Sequence, residues 1–447
     1  MIAIVESLAD SASVHICEHL RRLVDWEARE DRSRPASVGG GTYYWTEGAE
    51  LRSFEALHLD LERPVVAFEC DPDLLVFASR HSGETGPLLT AHFTGNFGPA
   101  EYGGDDYALA DTGPNALAAV MEAFETYAPD AVADVAPDGY DVGMECTHHG
   151  PTDVGCPSLF AELGSEEPQW NDPAGAEAVA RAILDLRGVD PHRDRQIVGF
   201  GGNHYTPRFA RIVRETPWAV GHVAAGWGLE AMGPPDAHRT LLERAFEASL
   251  TDLAVFDGEY PELEDTLATM GYRVVSETWL REVGDRPRSL VEAVESRLGG
   301  VDEGIRFGSD RAKRFEVVDL PEELLGTAKG IDPEAVWDAV EDHGVAFETA
   351  NGASRVGERA AFASDDRYRE LLAELATVLE AKFDAVRIED DALIAEETAF
   401  DPAQAHELGV PEGPKFGALA NGDPVTVDGK RIDPKSVHVE RTHRFPI

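Results

Sequence analysis

Strand-like and helix-like segments alternate through the first two-thirds of the chain, and this alternation limits the fold more than any other feature of the sequence. Residues 1–5 form an apolar run that predicts a strand, and residues 11–24 place apolar side chains at helical spacing, with Ser11 or Ser13 as the expected N-cap. Further strands are predicted at residues 74–79, 88–93, 140–146, 158–162, 196–200 and 218–222, and further helices at residues 115–127, 174–186, 237–249 and 261–270. This pattern favours an α/β fold in which a mixed or largely parallel sheet is flanked by helices, with functional sites beyond the carboxyl ends of strands.

The sequence changes character after about residue 284. Helical patterns at residues 290–298, 333–342 and 366–381 dominate there, and Val427-Asp428-Gly429-Lys430 is typical of a hairpin turn. We therefore predict a first domain at residues 1–284 and a C-terminal α+β extension at residues 285–447.

Acidic residues outnumber basic ones by 84 to 39, which gives a formal net charge of -45 spread along the whole chain. Such a surface is typical of proteins that work in molar salt, where the Debye length falls to about 3 Å. The charge does not exclude a polyanionic partner, because the same screening weakens repulsion of phosphate. Binding to nucleic acid would rely on shape, stacking and a few arginines.

Neither a signal-peptide pattern at Met1 nor an apolar run long enough to cross a bilayer is present. We expect a soluble cytoplasmic protein that does not bind membranes, with a monomer favoured. The four cysteines contain no Cys-x-x-Cys pair, which argues against a zinc ribbon or a thioredoxin-type redox motif.

The run Glu-Cys-Thr-His-His-Gly-Pro at residues 145–151 concentrates metal-binding and proton-handling side chains just after a predicted strand. Other histidines also lie at or near the ends of apolar stretches, which predicts one polar site built from several segments. Imidazole and carboxylate groups suit zinc or a similar ion, and three protein ligands with an open position make a hydrolytic site. The candidate ligands are His81, His92, His148, His149, His204 and His222. The candidate catalytic groups are Glu145, His148, His149 and His204, and spacing does not divide the roles among them.

The glycine-rich turn that ends in Asn203-His204-Tyr205 follows a predicted strand and precedes a helix, with Thr206 as the expected N-cap. Backbone amides at Gly201 and Gly202 would approach an oxyanion or a phosphate there. The alternative is a tight turn without a binding role. The sequence matches neither a dinucleotide fingerprint nor a nucleotide P-loop.

Two other patterns offer competing chemistry. His15, Glu18 and His19 match the inverted zinc-peptidase motif His-x-x-Glu-His on the first helix. The apolar stripe of that helix leaves both histidines off the core side, so a solvated helix face is the favoured interpretation. Cys146 is a candidate nucleophile, but nothing near it in sequence supplies an oxyanion-binding pair.

Taken in order, these motifs resemble the archaeal and plant type of D-aminoacyl-tRNA deacylase over about residues 1–281. They are Ser79-Arg80-His81, Leu89-Thr90-Ala91-His92, the run at residues 145–151, Glu162-Leu163-Gly164-Ser165, Gly201-Gly202-Asn203-His204-Tyr205-Thr206-Pro207-Arg208 and Gly221-His222. The resemblance implies zinc-dependent hydrolysis of the ester that joins a D-amino acid to the terminal adenosine of tRNA. It also implies a fold similar to those of peptidyl-tRNA hydrolase and nucleoside phosphorylase.

The partner implied by this resemblance is the acceptor end of a tRNA that carries a D-amino acid, with no role for DNA. Arg80 and Arg208 are then expected to hold terminal phosphates. The other candidate substrate-binding residues are Thr147, Gly201, Gly202, Asn203 and Tyr205. A zinc peptidase or amidohydrolase using the His15 motif, and a tRNA-binding module without catalysis, are the alternatives.

Residues 408–425 resemble a segment of the tRNA 3′-end processing endonuclease, a metallo-β-lactamase-type enzyme. That enzyme's metal-binding motif, His-x-His-x-Asp-His, is absent from the chain. The extension is therefore predicted either to contact the tRNA acceptor or to support the fold.

Overall fold

The computed structural model describes all 447 residues, which divide into two compact units, Met1–Gly284 and Asp285–Ile447. The strands of the first unit are β1 (Ile2–Ser7), β2 (Glu27–Asp31), β3 (Gly41–Thr46), β4 (Ala49–Phe54), β5 (Leu74–Arg80), β6 (Leu88–His92), β7 (Asp141–Met144), β8 (Ser158–Gly164), β9 (Gln196–Gly201), β10 (Ala219–Ala224), β11 (Leu253–Asp257) and β12 (Arg273–Val274). Its helices are α1 (Ser11–Leu23), α2 (Pro114–Tyr127), α3 (Glu167–Trp170), α4 (Pro173–Asp185), α5 (Pro207–Glu215), α6 (Gly226–Met232), α7 (Arg239–Ala248), α8 (Pro261–Met270) and α9 (Glu277–Val283).

The strands of the first unit form two sheets. The larger has eight strands in the order β2-β3-β4-β1-β5-β8-β6-β7, in which β4, β1, β5 and β8 are parallel. Strand β6 runs antiparallel to β8 and parallel to β7. The smaller sheet, β10-β9-β11-β12, is entirely parallel. The expected α/β fold with a mixed sheet is confirmed.

Strands β1 and β8 are buried along their whole length, and only the last residue of β5 is partly exposed. Continuous apolar runs of this kind are what parallel strands covered on both faces require. Helix α1 packs against β5, helix α4 packs against β8, and the two helices contact each other. Because β5 and β8 are parallel neighbours, their carboxyl ends lie at the same end of the larger sheet.

The packing of α1 differs from the expectation in two ways. The N-cap is Asp10, not Ser11 or Ser13, because its carboxylate accepts the free N–H groups of Ala12 and Ser13. The predicted solvated face is also wrong. His19 is only 8% exposed, and its ring lies 3.7 Å from the Glu177 carboxylate of the neighbouring helix α4.

The second unit combines short antiparallel sheets with helices. Its strands are β13 (Ile305–Phe307), β14 (Glu316–Asp319), β15 (Ala346–Ala350), β16 (Arg355–Phe362), β17 (Ala385–Ile388), β18 (Ala392–Phe400), β19 (Val425–Val427), β20 (Lys430–Ile432) and β21 (His438–Pro446). Its helices are α10 (Arg288–Arg297), α11 (Glu322–Ile331), α12 (Pro333–His343), α13 (Asp365–Glu380), α14 (Pro402–Glu407) and α15 (Pro414–Ala420). The hairpin β19-β20 turns at Asp428 and Gly429, both at positive φ as a type I′ turn requires. None of the helices in either unit has the length and apolarity needed to span a membrane.

Candidate active site

The run at residues 145–151 joins the two sheets of the first unit. Strand β7 ends at Met144, two residues before the predicted end, because the following backbone pairs elsewhere. The Cys146 N–H donates to the His204 carbonyl at 2.8 Å, and the Thr147 N–H donates to the Val223 carbonyl of β10 at 2.9 Å. These bonds hold the run against the loop after β9 and against β10.

His92 and His81 reach the site from different directions. His81 follows β5, whereas His92 is the last residue of β6, which runs the opposite way beside β8 and places His92 opposite Phe160. The two imidazoles therefore do not lie at the same end of the sheet, although a fully parallel sheet would have put them there. The His92 ring lies 4.3 Å from that of His148 and 4.8 Å from that of His149.

A cavity of about 490 Å³ opens beside these histidines. Its charged and imidazole lining consists of Asp10, His58, Arg80, His81, Glu145, His148, His149, Glu162 and His204. The remaining lining residues are Leu57, Leu59, Ser79, Ser82, Tyr102 and Phe160. The structure thus brings together Arg80 and most of the predicted histidines around Glu145, with His92 packed behind His148.

Glu145 is the anion around which the imidazoles gather. Its side chain is 1% exposed, and one carboxylate oxygen, Oε2, lies 2.7 Å from His204 Nε2 and 3.6 Å from His148 Nε2. The other oxygen, Oε1, has no hydrogen-bond partner, and the His81 Nε2 lies 3.8 Å from it. Burial alone would raise the pKa of Glu145, but the hydrogen bond from His204 and the surrounding imidazoles lower it overall. Glu145 is therefore ionised, and its Oε1 has an unused acceptor position.

Three of the imidazoles are held in one tautomer by backbone carbonyls. The Nδ1 atoms of His92, His148 and His149 donate, respectively, to the carbonyl oxygens of Phe93 at 3.1 Å, Cys146 at 2.9 Å and Gly150 at 2.7 Å. A carbonyl oxygen only accepts, so the proton sits on Nδ1 and Nε2 is the remaining ligand atom. One ligand atom from each ring lies within 4.8 Å of the others, and His92 Nε2 is buried without a hydrogen-bond partner. Burial lowers the pKa of His148 and of His149 well below the usual value, which keeps both rings neutral.

Glu162 is a site residue that the sequence analysis did not select as functional. Its Oε1 lies 3.6 Å from His92 Nε2, and burial raises the pKa of Glu162 to about 7. Burial would lower the pKa of His92, but the Glu162 carboxylate raises it. A carboxylate at a buried position of an otherwise apolar strand was the available signal. Asp10 and His58 also line the cavity and were missed, because neither belongs to a recognisable motif.

His222 and Thr147 do not reach the cavity. His222 is fully buried, its Nδ1 lies 2.9 Å from Thr147 Oγ1, and its Nε2 lies 2.9 Å from the Ala110 carbonyl. Burial lowers the pKa of His222 to about 4. The Thr147 hydroxyl also accepts the N–H of Val223 at 3.0 Å. The structure therefore does not bring His222, predicted as a metal ligand, or Thr147, predicted as a substrate contact, to the cavity: both tie the run to β10.

His81 lines the cavity, but both of its ring nitrogens already have partners. Its Nδ1 lies 2.9 Å from Ser165 Oγ and its Nε2 lies 3.2 Å from the Tyr205 hydroxyl. Burial lowers the pKa of His81 and raises that of Tyr205. His81 thus orients Tyr205 and faces Glu145, and neither of its ring nitrogens is left free for a metal.

The glycine turn is tight and its Gly202 amide is already bonded. Gly201 and Gly202 have φ values of 98° and 76°, and the Gly202 N–H donates to the Asp257 carbonyl at 2.9 Å. Thr206 precedes α5 as expected, yet its hydroxyl donates to the Met144 carbonyl at 2.9 Å and does not cap the helix. The exposed Asn203 accepts the Tyr205 N–H. The turn therefore positions His204 and Tyr205, and the Gly202 amide, which donates to Asp257, is not free to bind an oxyanion or a phosphate.

Of the two arginines predicted to bind phosphate, Arg208 already faces carboxylates, whereas Arg80 lines the cavity. Arg208 lies 3.8 Å from Asp257 and 3.4 Å from Glu277, so carboxylates already surround its guanidinium. Arg80 lines the cavity, and its guanidinium lies 5.1 Å from the centre of the Trp170 ring. Arg80 is the one arginine of the cavity wall.

The His15 motif does not assemble a metal site. The His15 ring lies 3.0 Å from the Trp170 carbonyl through its Nδ1, and Glu18 pairs with Arg22 at 3.2 Å on the exposed side of α1. The His19 ring faces Glu177 instead of Glu18. This geometry speaks against the peptidase alternative.

The chain is similar to proteins named D-aminoacyl-tRNA deacylase. A family model described by that name matches residues 68–275. The protein of that name from Halorubrum lacusprofundi is 53% identical over 100% of this chain and 97% of its own length. Those from Natronomonas pharaonis and Methanoregula boonei are 52% and 31% identical over 100% of this chain, and cover 100% and 98% of their own lengths.

A solved structure supports the fold of part of the chain. A crystal structure described as a conserved protein of unknown function is 26% identical, with a TM-score of 0.55, over 63% of this chain and 96% of its own chain. The relatives from Halorubrum, Natronomonas and Methanoregula align along the entire chain. Residues 285–447 are thus shared with these relatives, contrary to the expectation that the resemblance ends near residue 281.

Proposed function

The chain belongs to the D-aminoacyl-tRNA deacylase family, and on this premise we propose that the histidine-lined cavity hydrolyses the ester between a D-amino acid and the 3′ end of tRNA. The products are the free D-amino acid and tRNA. The observation that carries the proposal is the buried Glu145 with one oxygen that has no hydrogen-bond partner, beside three imidazoles that each place one ring nitrogen within 4.8 Å of the others. Ester hydrolysis requires an activated water and this arrangement supplies a base for it.

We propose zinc as the cofactor, held by His92, His148 and His149. The donor set fits, because backbone carbonyls fix all three tautomers and only the Glu162 carboxylate, at 3.6 Å, lies beside the buried Nε2 of His92. When bound, zinc supplies a Lewis acid and lowers the pKa of a coordinated water to about 7. A second group, Cys146, His148 and His204, also converges within 4.8 Å, but both ring nitrogens of His204 already have partners, Cys146 Sγ at 3.7 Å and Glu145 Oε2 at 2.7 Å.

Glu145 and His204 have different roles in the two proton transfers of the reaction. Glu145 accepts a proton from water as the oxygen attacks the carbonyl carbon, and His204 holds the carboxylate from the other side. When the tetrahedral intermediate collapses, the ester C–O bond breaks and the proton passes to the leaving ribose oxygen. His204 is partly exposed at the cavity and hydrogen-bonded to Glu145, so it is placed to carry that proton. The Arg80 guanidinium at the cavity wall holds a phosphate of the acceptor end.

Residues 1–284 form the catalytic unit in this proposal. The role of residues 285–447, as a contact for the tRNA acceptor or as support for the fold, stays a prediction.

Comparing D-tyrosyl-tRNA with L-tyrosyl-tRNA at molar KCl tests the proposed function. Wild-type protein is expected to release D-tyrosine at least about tenfold faster than L-tyrosine. His149→Ala removes one of the three converging imidazoles and is expected to abolish release. His15→Ala is the matched control, because His15 lies outside the cavity.

The alternatives give different results in the same assay. Equal rates for the two enantiomers would contradict the proposal. Loss of activity in the His15 variant alone would favour a peptidase or amidohydrolase, and tRNA binding without turnover would favour a non-catalytic module.

Metal content tests the zinc proposal separately from activity. After zinc loading and dialysis, elemental analysis is expected to find about one zinc per wild-type chain and per His15→Ala chain. His149→Ala is expected to retain much less, since removal of a ligand or its support typically weakens affinity by about 10-fold or more. Equal zinc in all three proteins would place the metal elsewhere.

A further inference from the structure

Three aromatic side chains are largely exposed: Tyr102 at 68%, Trp227 at 50% and Tyr107 at 37%. Tyr107 already stacks on the His238 ring, with 4.7 Å between ring centres. Tyr102 and Trp227 contact no other ring, and both lie next to the candidate active site. Single exposed apolar residues are ordinary, but Tyr102 lines the cavity, Trp227 directly follows a residue bonded to the turn before His204, and neither has an aromatic partner.

Tyr102 stands at the rim of the cavity on a backbone fixed to the histidine run. It lines the cavity, and its carbonyl accepts the Gly150 N–H at 2.9 Å, one residue after His149. The next residue, Gly103, packs so closely that a Cβ there would lie 2.3 Å from the Leu59 carbonyl oxygen. The Tyr102 ring is thus exposed while its main chain is held rigidly beside the reacting centre.

Trp227 lies on the side of the site formed by the second sheet. It is the second residue of α6, and the preceding Gly226 N–H donates to the Gly202 carbonyl at 2.9 Å. Gly202 belongs to the turn that carries His204 two residues further on, so this bond ties the start of α6, with Trp227, to the turn of the proposed proton carrier.

We propose that Tyr102 and Trp227 are stacking platforms for the unpaired bases at the 3′ end of tRNA. Tyr102 takes the terminal adenine, and Trp227 takes the base that precedes it. This inference rests on the proposed function, which sets the ester inside the cavity. The adenine is attached to the same ribose as the ester, so it must lie at the cavity rim, where Tyr102 is the exposed aromatic ring.

The charge of the protein makes stacking the suitable mode of recognition. The chain has a net charge of -45, and Arg208 is occupied by Asp257 and Glu277, which leaves Arg80 as the cation of the cavity wall. In molar salt, phosphate contacts are strongly weakened, whereas stacking of a base on an aromatic face is an apolar contact that high salt does not screen. Two exposed rings beside the site provide affinity that survives in such a solvent.

Steady-state kinetics with three D-tyrosine esters tests the proposal at molar KCl. The substrates are D-tyrosyl-tRNA, 3′-O-D-tyrosyl-adenosine and D-tyrosine methyl ester. Tyr102→Ala is expected to raise the KM for both adenosine-containing substrates, relative to that for the methyl ester, on the order of 10-fold. Trp227→Ala is expected to raise the KM ratio of the tRNA to the tyrosyl-adenosine by a similar factor, because the nucleoside lacks the preceding base. Tyr102→Phe keeps the ring and is expected to restore the wild-type ratios.

Tyr107→Ala is the matched control, since that ring stacks on His238 and lies away from the cavity. The Kd of uncharged tRNA, measured in parallel for all variants, tests the platforms even if the wild type shows no D-selective hydrolysis. Weaker binding in Tyr102→Ala and Trp227→Ala, but not in Tyr107→Ala, supports the proposal. KM ratios and Kd values that match those of Tyr107→Ala would overturn it.

Discussion

At the scale of single residues, the site depends on which atom of each side chain is left free. His92, His148 and His149 donate from Nδ1 to backbone carbonyls and keep Nε2, whereas His81 and His222 have partners at both nitrogens. All five are histidines near the end of an apolar segment. Only their hydrogen bonds distinguish the histidines that could bind a metal from those that have a structural role.

Replacing Glu145 by Gln tests the proposed base. The amide keeps the shape of the carboxylate but cannot accept a proton, so kcat for D-tyrosyl-tRNA is expected to fall about 10²-fold or more. Zinc content is expected to remain near that of the wild type, because Glu145 is not among the three proposed ligands. Glu18→Gln, on the exposed side of α1, is the control. A Glu145→Gln enzyme with more than half the wild-type kcat would show that another group activates water.

Replacing Thr147 by Val tests its reassignment from substrate contact to structural link. The change keeps the side-chain shape and removes the hydroxyl that bonds His222 Nδ1 and the Val223 N–H. The free energy of unfolding, from urea titration at fixed KCl, is expected to fall by about 1–3 kcal/mol because two buried groups lose a partner. Thr126→Val, on the surface of α2, is expected to change it by less than about 0.5 kcal/mol. Equal unfolding free energies for the two variants would contradict this role.

At the scale of elements, the turn after β9 positions His204 and Tyr205. Gly201 adopts a φ of 98°, and a Cβ there would lie 2.3 Å from the Asp257 carbonyl oxygen. The turn therefore requires glycine both for its backbone conformation and for space.

Comparing Gly201→Ala with Gly188→Ala separates these two requirements. Gly188 has a φ of 80°, but a Cβ added there would have no atom within 4 Å, so alanine at this position adds only backbone strain. Urea unfolding is expected to show a loss of about 1 kcal/mol for Gly188→Ala and at least about 2 kcal/mol more for Gly201→Ala. Similar losses in both variants would mean that the backbone around Asp257 yields at little cost.

Periodicity in the sequence was enough to locate many of the elements around the site. Continuous apolar runs predicted β5, β8, β9 and β10 to within a few residues, because buried parallel strands require them. The direction of β6 was not predictable, since an apolar strand has the same pattern whichever way it runs beside its neighbour. For this reason the separation of His92 from His81 along the sheet could not be foreseen.

Site residues that belong to sequence motifs were predictable. Those that reach the cavity only through the packing of distant segments were not. The run at residues 145–151 marks Glu145, His148 and His149 as unusual from sequence alone. Asp10 and Glu162 reach the cavity only because β1, β5 and β8 lie side by side. The burial of His19 likewise depends on α4 covering α1, which no local pattern specifies.

At the scale of the whole molecule, the charge of -45 shapes both stability and recognition. Mutual repulsion of the acidic residues opposes the compact state, and salt screens it over a Debye length of about 3 Å at 1 M and about 10 Å at 0.1 M. Thermal unfolding is therefore expected to show a lower Tm at 0.1 M KCl than at 2 M KCl. A Tm that is the same at both concentrations would show that the acidic surface does not require salt.

The most direct test of the account is to titrate zinc into metal-free protein and follow release of D-tyrosine and L-tyrosine from tRNA at molar KCl. D-selective hydrolysis is predicted to appear with zinc and to reach its full rate at about one zinc per chain. The His149→Ala protein is predicted to show no such rise. Undiminished D-selective hydrolysis by protein that elemental analysis finds free of metal would contradict the account of the site.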